Sequence, residues 1–123
     1  MTKLPIEDVL RLTDALQSYV GQKIVVVEFL SREGGGKDGH PATRSQFTFV
    51  ADRFFGVTLS GLFLGLESED GDTVYTLSLD SVVSIAVQND QLTIIEHMEA
   101  KTSRETVVRS AEKTEDCTSF VAP

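Results

Sequence analysis

Four carboxylates fall within six residues at 67–72, in the run ESEDGD. Clustered carboxylates can hold a hard cation or present a negative surface to a basic partner. A calcium loop of the EF-hand kind needs ligands at alternating positions, a central glycine and a distant bidentate glutamate. That spacing is absent here, and Asp70-Gly71 reads instead as the tip of a β-hairpin. The partner-binding reading has a second support. Residues 54–100 contain eight carboxylates and no Lys or Arg, so the whole net charge of −8 lies on this one segment. A surface of one sign repels polyanions and steers basic partners towards itself. Glu67, Glu69, Asp70 and Asp72 are therefore the candidate partner-binding residues, with Asp80 and Asp90 as additions.

Other constellations carry less chemistry. GGGKDG at 34–39 lacks the GxxxxGK[ST] spacing of a phosphate loop, and a strand follows it where a phosphate loop needs a helix. His97 stands between Glu96 and Glu99, but in a strand only Glu99 shares its face. A zinc site needs three or four converging ligands, and His40 sits in a glycine-rich stretch. Cys117 has Asp116 beside it, which works against a reactive thiolate. The sequence thus predicts no catalysis, no metal and no cofactor. A hydrolytic or metal-dependent enzyme would have to be built around His97.

A basic set is the alternative binding surface. Arg32, Lys37, Arg44 and Arg53 fall in or near one loop, and Phe54-Phe55 follow. Cations beside aromatics can track single-stranded RNA and stack its bases. The acidic balance of the chain opposes this, because neutralising phosphate supplies most of the affinity for nucleic acid. A protein partner is the first expectation and nucleic acid the second.

The chain's 123 residues suffice for one core. Its composition is that of an ordinary globular domain, 41% hydrophobic and 24% charged. No apolar run is long enough for a membrane helix. The start, MTKLPIEDVLRL, lacks the apolar core of a secretion signal, and one cysteine cannot form an internal disulfide. A cytoplasmic location is expected, with no membrane partner.

The elements that must position these residues are mostly strands. Residues 5–20 read as an amphipathic helix, with Ile6, Val9, Leu10, Leu16 and Val20 as its apolar stripe and Gly21 as its stop. KIVVVEFL at 23–30 is apolar on both faces and predicts a central strand. Residues 31–45 predict a long exposed loop and 46–51 an alternating strand. The longest candidate strand, 55–66, changes phase at Gly61, which suggests a bulge or sharp bend. Segments 73–79, 82–87 and 92–98 continue as a meander. Residues 101–123 are polar and predict a disordered tail behind a single domain over 1–100.

Two passages sharpen this into a resemblance. GQKIVVVEF resembles the glycine-led first strand that follows the helix in Sm-like proteins, and YTLSLDSVVSIAV resembles their closing strands. The likeness covers roughly residues 5–87 as a pattern. It departs from the family in the length of loop 31–45, in an extra strand at 92–98 and in lacking an RNA-contact signature. It implies a mainly β fold with an N-terminal α-helix, a small and strongly bent antiparallel barrel of the Sm-like or SH3-like kind, with five or six strands. The expected role is a non-catalytic protein-interaction or regulatory module whose acidic hairpin face meets a basic partner, in the manner of a nucleic-acid mimic. The resemblance implies RNA binding through the 31–53 region as the alternative. Open strand edges also admit β-addition, including homo-oligomers.

Overall fold

In the computed structural model, residues 4–32, 43–58, 61–98 and 101–111 are described. Pro5 opens helix α1, Ile6–Ser18: its carbonyl accepts the N–H groups of Asp8 and Val9 at 2.9 and 3.0 Å. Glu7 and Asp8 in the first turn face the positive end of the helix dipole. Gly21 takes a left-handed conformation, φ +92°, and ends the turn. Its N–H donates to the Ala51 carbonyl at 2.7 Å, and the Ala51 N–H returns a bond to Gln22 at 2.9 Å.

The buried face of α1 differs from the expected stripe. Leu12 and Leu16 are fully buried, with Val9 and Ala15 packed beside them, while Ile6 and Leu10 remain 69% and 59% exposed. At about 100° per residue, Leu10 lies some 200° around the helix from Leu12. The two leucines cannot share a face, and the core takes Leu12.

Among the described residues eight strands follow: β1 Lys23–Arg32, β2 Thr43–Val50, β3 Arg53–Thr58, β4 Leu62–Glu67, β5 Val74–Ser78, β6 Val82–Gln88, β7 Gln91–Met98 and β8 Thr102–Ser110. They form a five-stranded antiparallel sheet in the order β2-β1-β8-β7-β6 and a three-stranded one in the order β3-β4-β5. The chain crosses between sheets at Ala51-Asp52 and through the 3-10 turn Leu79–Ser81. Most of the core lies between the two sheets, with Leu12, Leu16 and Tyr19 of α1 joining Ile24, Val26, Leu66, Tyr75 and Ile94. The mainly β antiparallel architecture with one N-terminal helix is as expected. Among the described residues the strand pairings form two sheets and do not close into one barrel.

Three expectations from the sequence are corrected. The polar stretch after residue 100 supplies β8, the middle strand of the larger sheet, where a disordered tail and a domain end at 100 were expected; residues 112–123 of that tail lie outside the described residues. Its inward positions are Arg104, Thr106, Val108 and Ser110, so alternation is present without an apolar signal. Strands 55–58 and 62–66 are not one bent strand. They fold back on each other with Thr58 opposite Leu62, so the change of phase marks a reversal of the chain. Of the 31–45 loop, residues 31–32 and 43–45 belong instead to β1 and β2, and residues 33–42 lie outside the described residues. β1 does hold an interior place between β2 and β8, and Val25 and Val27 are buried on its second face.

Gly65 is required by packing. It pairs with Phe55, whose ring lies across it, so a Cβ there would stand 2.6 Å from Phe55 Cζ and would also strike the Tyr75 carbonyl oxygen. Gly65→Ala is expected to destabilise the fold by about 1–3 kcal/mol, the usual range for overpacking. Urea denaturation followed by circular dichroism measures it, and a wild-type midpoint would show that the ring moves aside freely.

Candidate functional site

The inner face of the larger sheet changes character along its strands. Leu92, Val108 and Val26 form an apolar row; Ile94, Thr106 and Glu28 follow; Glu96 and Arg104 come next, and with Glu28 they make that end ionic. Glu96 and Arg104 are directly opposite on β7 and β8. Arg104 Nε donates to Glu96 Oε1 at 2.7 Å, and Nη1 donates to Glu28 Oε2 at 3.2 Å. Nη2 crosses to the smaller sheet and donates to the Thr76 carbonyl at 2.8 Å. The Ser78 N–H donates weakly to Glu96 Oε2 at 3.4 Å. The guanidinium also lies over the Tyr75 ring, 5.6 Å from its centroid.

Electrostatics follow from this burial. Burial works against the charged guanidinium of Arg104, but the bond to Glu96 and the nearby negative charges outweigh it and raise the pKa. The Tyr75 phenol is raised well above its ordinary 10, first by burial and then by the Glu96 charge. Thr106 Oγ1 is near enough to favour the tyrosinate slightly. Yet neither that oxygen nor the Tyr75 hydroxyl has a partner with hydrogen-bond geometry among the described residues. Tyr19 is raised by burial and then by Asp90; its hydroxyl lies 3.2 Å from the Asp90 carbonyl oxygen and 3.1 Å from that of Val108.

The acidic hairpin between β4 and β5 is the principal surface feature anticipated from sequence. Asp70 accepts bonds from the Ser68 hydroxyl at 2.7 Å and the Asp72 N–H at 3.0 Å, and these two bonds, the backbone one first, lower its pKa. Gly71, φ +77°, completes the tip. Asp70 therefore shapes the turn, while Glu69 and Asp72 are exposed on it. Glu67 is paired with Arg53 at 3.0 Å. Asp52 adjoins this end, since its N–H donates to the Glu67 carbonyl at 2.8 Å.

The remaining candidates are dispersed. Asp80 approaches Gly61 at the far end of β4, about 17 Å of strand from the hairpin. Asp90 occupies the β6–β7 turn with a left-handed backbone, φ 61°. Of the basic set, Arg44 lies over Phe29 at 5.7 Å, whereas Arg53 is engaged with Glu67 beyond the other end of β2. The structure does not bring them together; Lys37 and the Arg32 side chain lie outside the described residues. His97 is exposed on β7. A groove of about 390 Å³ lies between the end of α1 and the β6–β7 turn, lined by Ala15, Tyr19, Gln22 and Val87 among others. The Gln22 amide within it already donates to Ser18 at 2.7 Å.

Sequence reading missed Arg104, Glu28 and Tyr75 as a group. One signal was present: Glu96 and Arg104 stand symmetrically about residue 100, as partners across a hairpin must. It is visible only once 101–110 is recognised as a strand.

No protein-family model and no curated protein matches this chain. Among solved structures it is similar to the YojF protein of Bacillus subtilis, with a TM-score of 0.61 at 12% identity, over 87% of this chain and 91% of that one. The pleckstrin homology domain of USP37 overlaps 82% of this chain and 93% of its own, at 9% identity and a TM-score of 0.33, too loosely to bear on the fold. The likeness to YojF is one of fold alone. It accords with a small β-rich architecture of antiparallel sheets and does not extend to the Sm-like detail. Among the described residues no helix is long and apolar enough to cross a membrane.

Arg104→Met should cost about 3–5 kcal/mol, because it leaves Glu96 buried without its counter-charge. Chemical denaturation measures this, and a loss below about 1 kcal/mol would place the pair with ordinary surface ion pairs. The tyrosines supply an independent check. Their raised pKa values mean that stability is intact below pH 10 and falls as the unfolded chain ionises above it. Ultraviolet titration is expected to show little tyrosinate at pH 10 and then a steep rise coincident with unfolding. Ordinary titration centred on 10 would overturn the assignment.

Proposed function

We propose that this protein is a non-catalytic interaction module that offers its acidic hairpin to a basic protein partner. The observation that carries this reading is the internal bonding of the hairpin tip. Ser68, Asp70 and the Asp72 N–H hold the loop in one shape, with Glu69 and Asp72 directed at solvent. Charges held in place lose less entropy on binding than charges on a mobile loop. Asp52 widens the negative surface, while the Arg53–Glu67 pair ties the base of the hairpin to β3. The groups that meet the partner are therefore Glu69 and Asp72, with Asp70 as the residue that positions them.

The strand order supports a barrel-like reading at the level of topology. Following the larger sheet from β2 to β6 and then the smaller from β5 to β3 describes one circuit, joined at both seams by short connections. The nucleic-acid alternative loses support, because Arg53 is committed to the acidic end. A cytoplasmic setting fits the single cysteine.

The test is charge reversal at positions that leave the turn intact. Glu69→Lys with Asp72→Lys should abolish recovery of a protein partner that the wild type retains from nuclease-treated native lysate, at an unchanged melting temperature. Retention of that partner by the variant, or recovery of RNA as the sole ligand from untreated lysate, would overturn the proposal. Asp70→Ala is expected to weaken the same interaction through loss of loop shape.

A further inference from the structure

Among the described residues four strands lie at sheet edges: β2 and β6 in the larger sheet, β3 and β5 in the smaller. An open edge offers unpaired N–H and C=O groups to any approaching strand, and folded proteins defend edges with charges, irregularities or covers. β2 carries Arg44, and β3 carries Arg53. The edge of β5 is occupied by Arg104 and Glu96, which bond Thr76 and Ser78. β6 reads VVSIAVQ, without charge or proline. Its one irregularity is a shift of register between Val82 and Ser84, so the ladder is regular from Ser84 to Gln88.

The hairpin determines which groups of β6 are open. Asn89 and Asp90 are both left-handed, φ 52° and 61°, and make a two-residue turn closed by Gln88 and Gln91. Hydrogen-bonded and non-hydrogen-bonded pairs alternate from there. Ala86–Thr93 and Ser84–Ile95 are therefore bonded pairs, and the backbone groups of Ile85 and Val87 point away from β7. Among the described residues no backbone hydrogen bond from outside the β6–β7 ladder reaches 84–88.

We infer that β6 is a two-fold dimer interface, to which a second copy of this chain adds its own β6 in antiparallel register about Ala86. Ile85 of each copy pairs with Val87 of the other, and the four outward-pointing residues exchange four hydrogen bonds. Ala86 meets its own counterpart at a non-hydrogen-bonded position, where Cα atoms approach to about 4.5 Å. A small side chain suits that spacing. Ser84 lies opposite Gln88, and neither Asp80 nor Asp90 meets its like. The two larger sheets become one of ten strands.

A second copy is the occupant that the charge distribution favours. Two chains of net charge −8 repel over most of their surfaces, and uncharged β6 is the edge where they approach with least penalty. A basic partner would be drawn to the acidic hairpin, not to this strand. Apolar exposure points to the same place. Of nine large hydrophobic residues exposed among those described, Val83 and Val87 are on β6, and Ile6, Leu10 and Val20 are on or just after α1, which packs beside it. Exposed apolar surface concentrated in one region marks an interaction site.

Sedimentation equilibrium on the full chain is expected to show monomer and dimer in exchange, with the dimer favoured by added salt as repulsion is screened. Ala86→Lys should leave only monomer while retaining the wild-type melting temperature and circular dichroism. Ala86→Cys in a Cys117→Ser background should form a disulfide-linked dimer on mild oxidation, since the facing Cα separation suits a disulfide. Gln88→Cys in the same background should not. A wild type that stays monomeric at every soluble concentration would overturn the inference. So would a dimer that survives Ala86→Lys, or failure of position 86 to cross-link.

Discussion

Turning the edge of one sheet onto the inner face of another removes backbone groups from water, and each such group needs a partner. In this protein the guanidinium of Arg104 meets much of that demand. It takes the Thr76 carbonyl of β5, holds Glu96 so that the same carboxylate reaches the Ser78 N–H, and draws in Glu28 from β1. Side chains from three strands of the larger sheet thereby stand where a bridging strand would otherwise have to be. The two sheets separate at this seam while the Thr76 carbonyl and the Ser78 N–H keep partners, which ties the open two-sheet arrangement together there.

The arrangement constrains what surrounds it. A buried ion pair carries a heavy desolvation cost, recovered only when geometry and remaining hydrogen bonds are good. Here all three guanidinium nitrogens are bonded, and the flat face is covered by Tyr75. Tyr75 must then be buried deeply enough to lie beneath it, which Gly65 permits by leaving room for Phe55 and the Tyr75 backbone. Apolar packing from Leu12, Leu16, Ile24 and Leu92 fills the other end. The ionic end sets how the sheets are placed relative to each other, and the apolar end supplies most of the burial.

The surface shows two opposite solutions to presenting a β element to solvent. The β4–β5 hairpin is covered in charge and bonded within its own turn, so it resists strand addition and attracts opposite charge. The β6 edge carries no charge and keeps its backbone groups open, so it admits a strand and repels little. These features belong to different elements, so the proposed contact with a partner and the proposed contact with a second copy fall on separate surfaces.

By itself the sequence determined the local elements, because each rests on interactions between near neighbours. The helix that begins at Pro5, the doubly buried KIVVVEFL strand and the Asp70-Gly71 tip were all legible from residue type and spacing. The concentration of carboxylates between 54 and 100 was legible too, since charge needs no fold to be counted. Other features were decided only by the tertiary structure. Leu12 was chosen over Leu10 because the sheets meet one side of α1 and not the other. Thr102–Ser110 sits in the sheet interior with its inward Arg104 bonded to partners on β1, β5 and β7. Polar residues signal burial only when their partners are known, and those partners lie at distances along the chain, 76 residues for Glu28 and Arg104, that no local pattern spans. Asp80 was separated from the hairpin, and Arg53 moved from the basic set to the acidic end, for the same reason: grouping in space follows from strand register, which is set by the whole core.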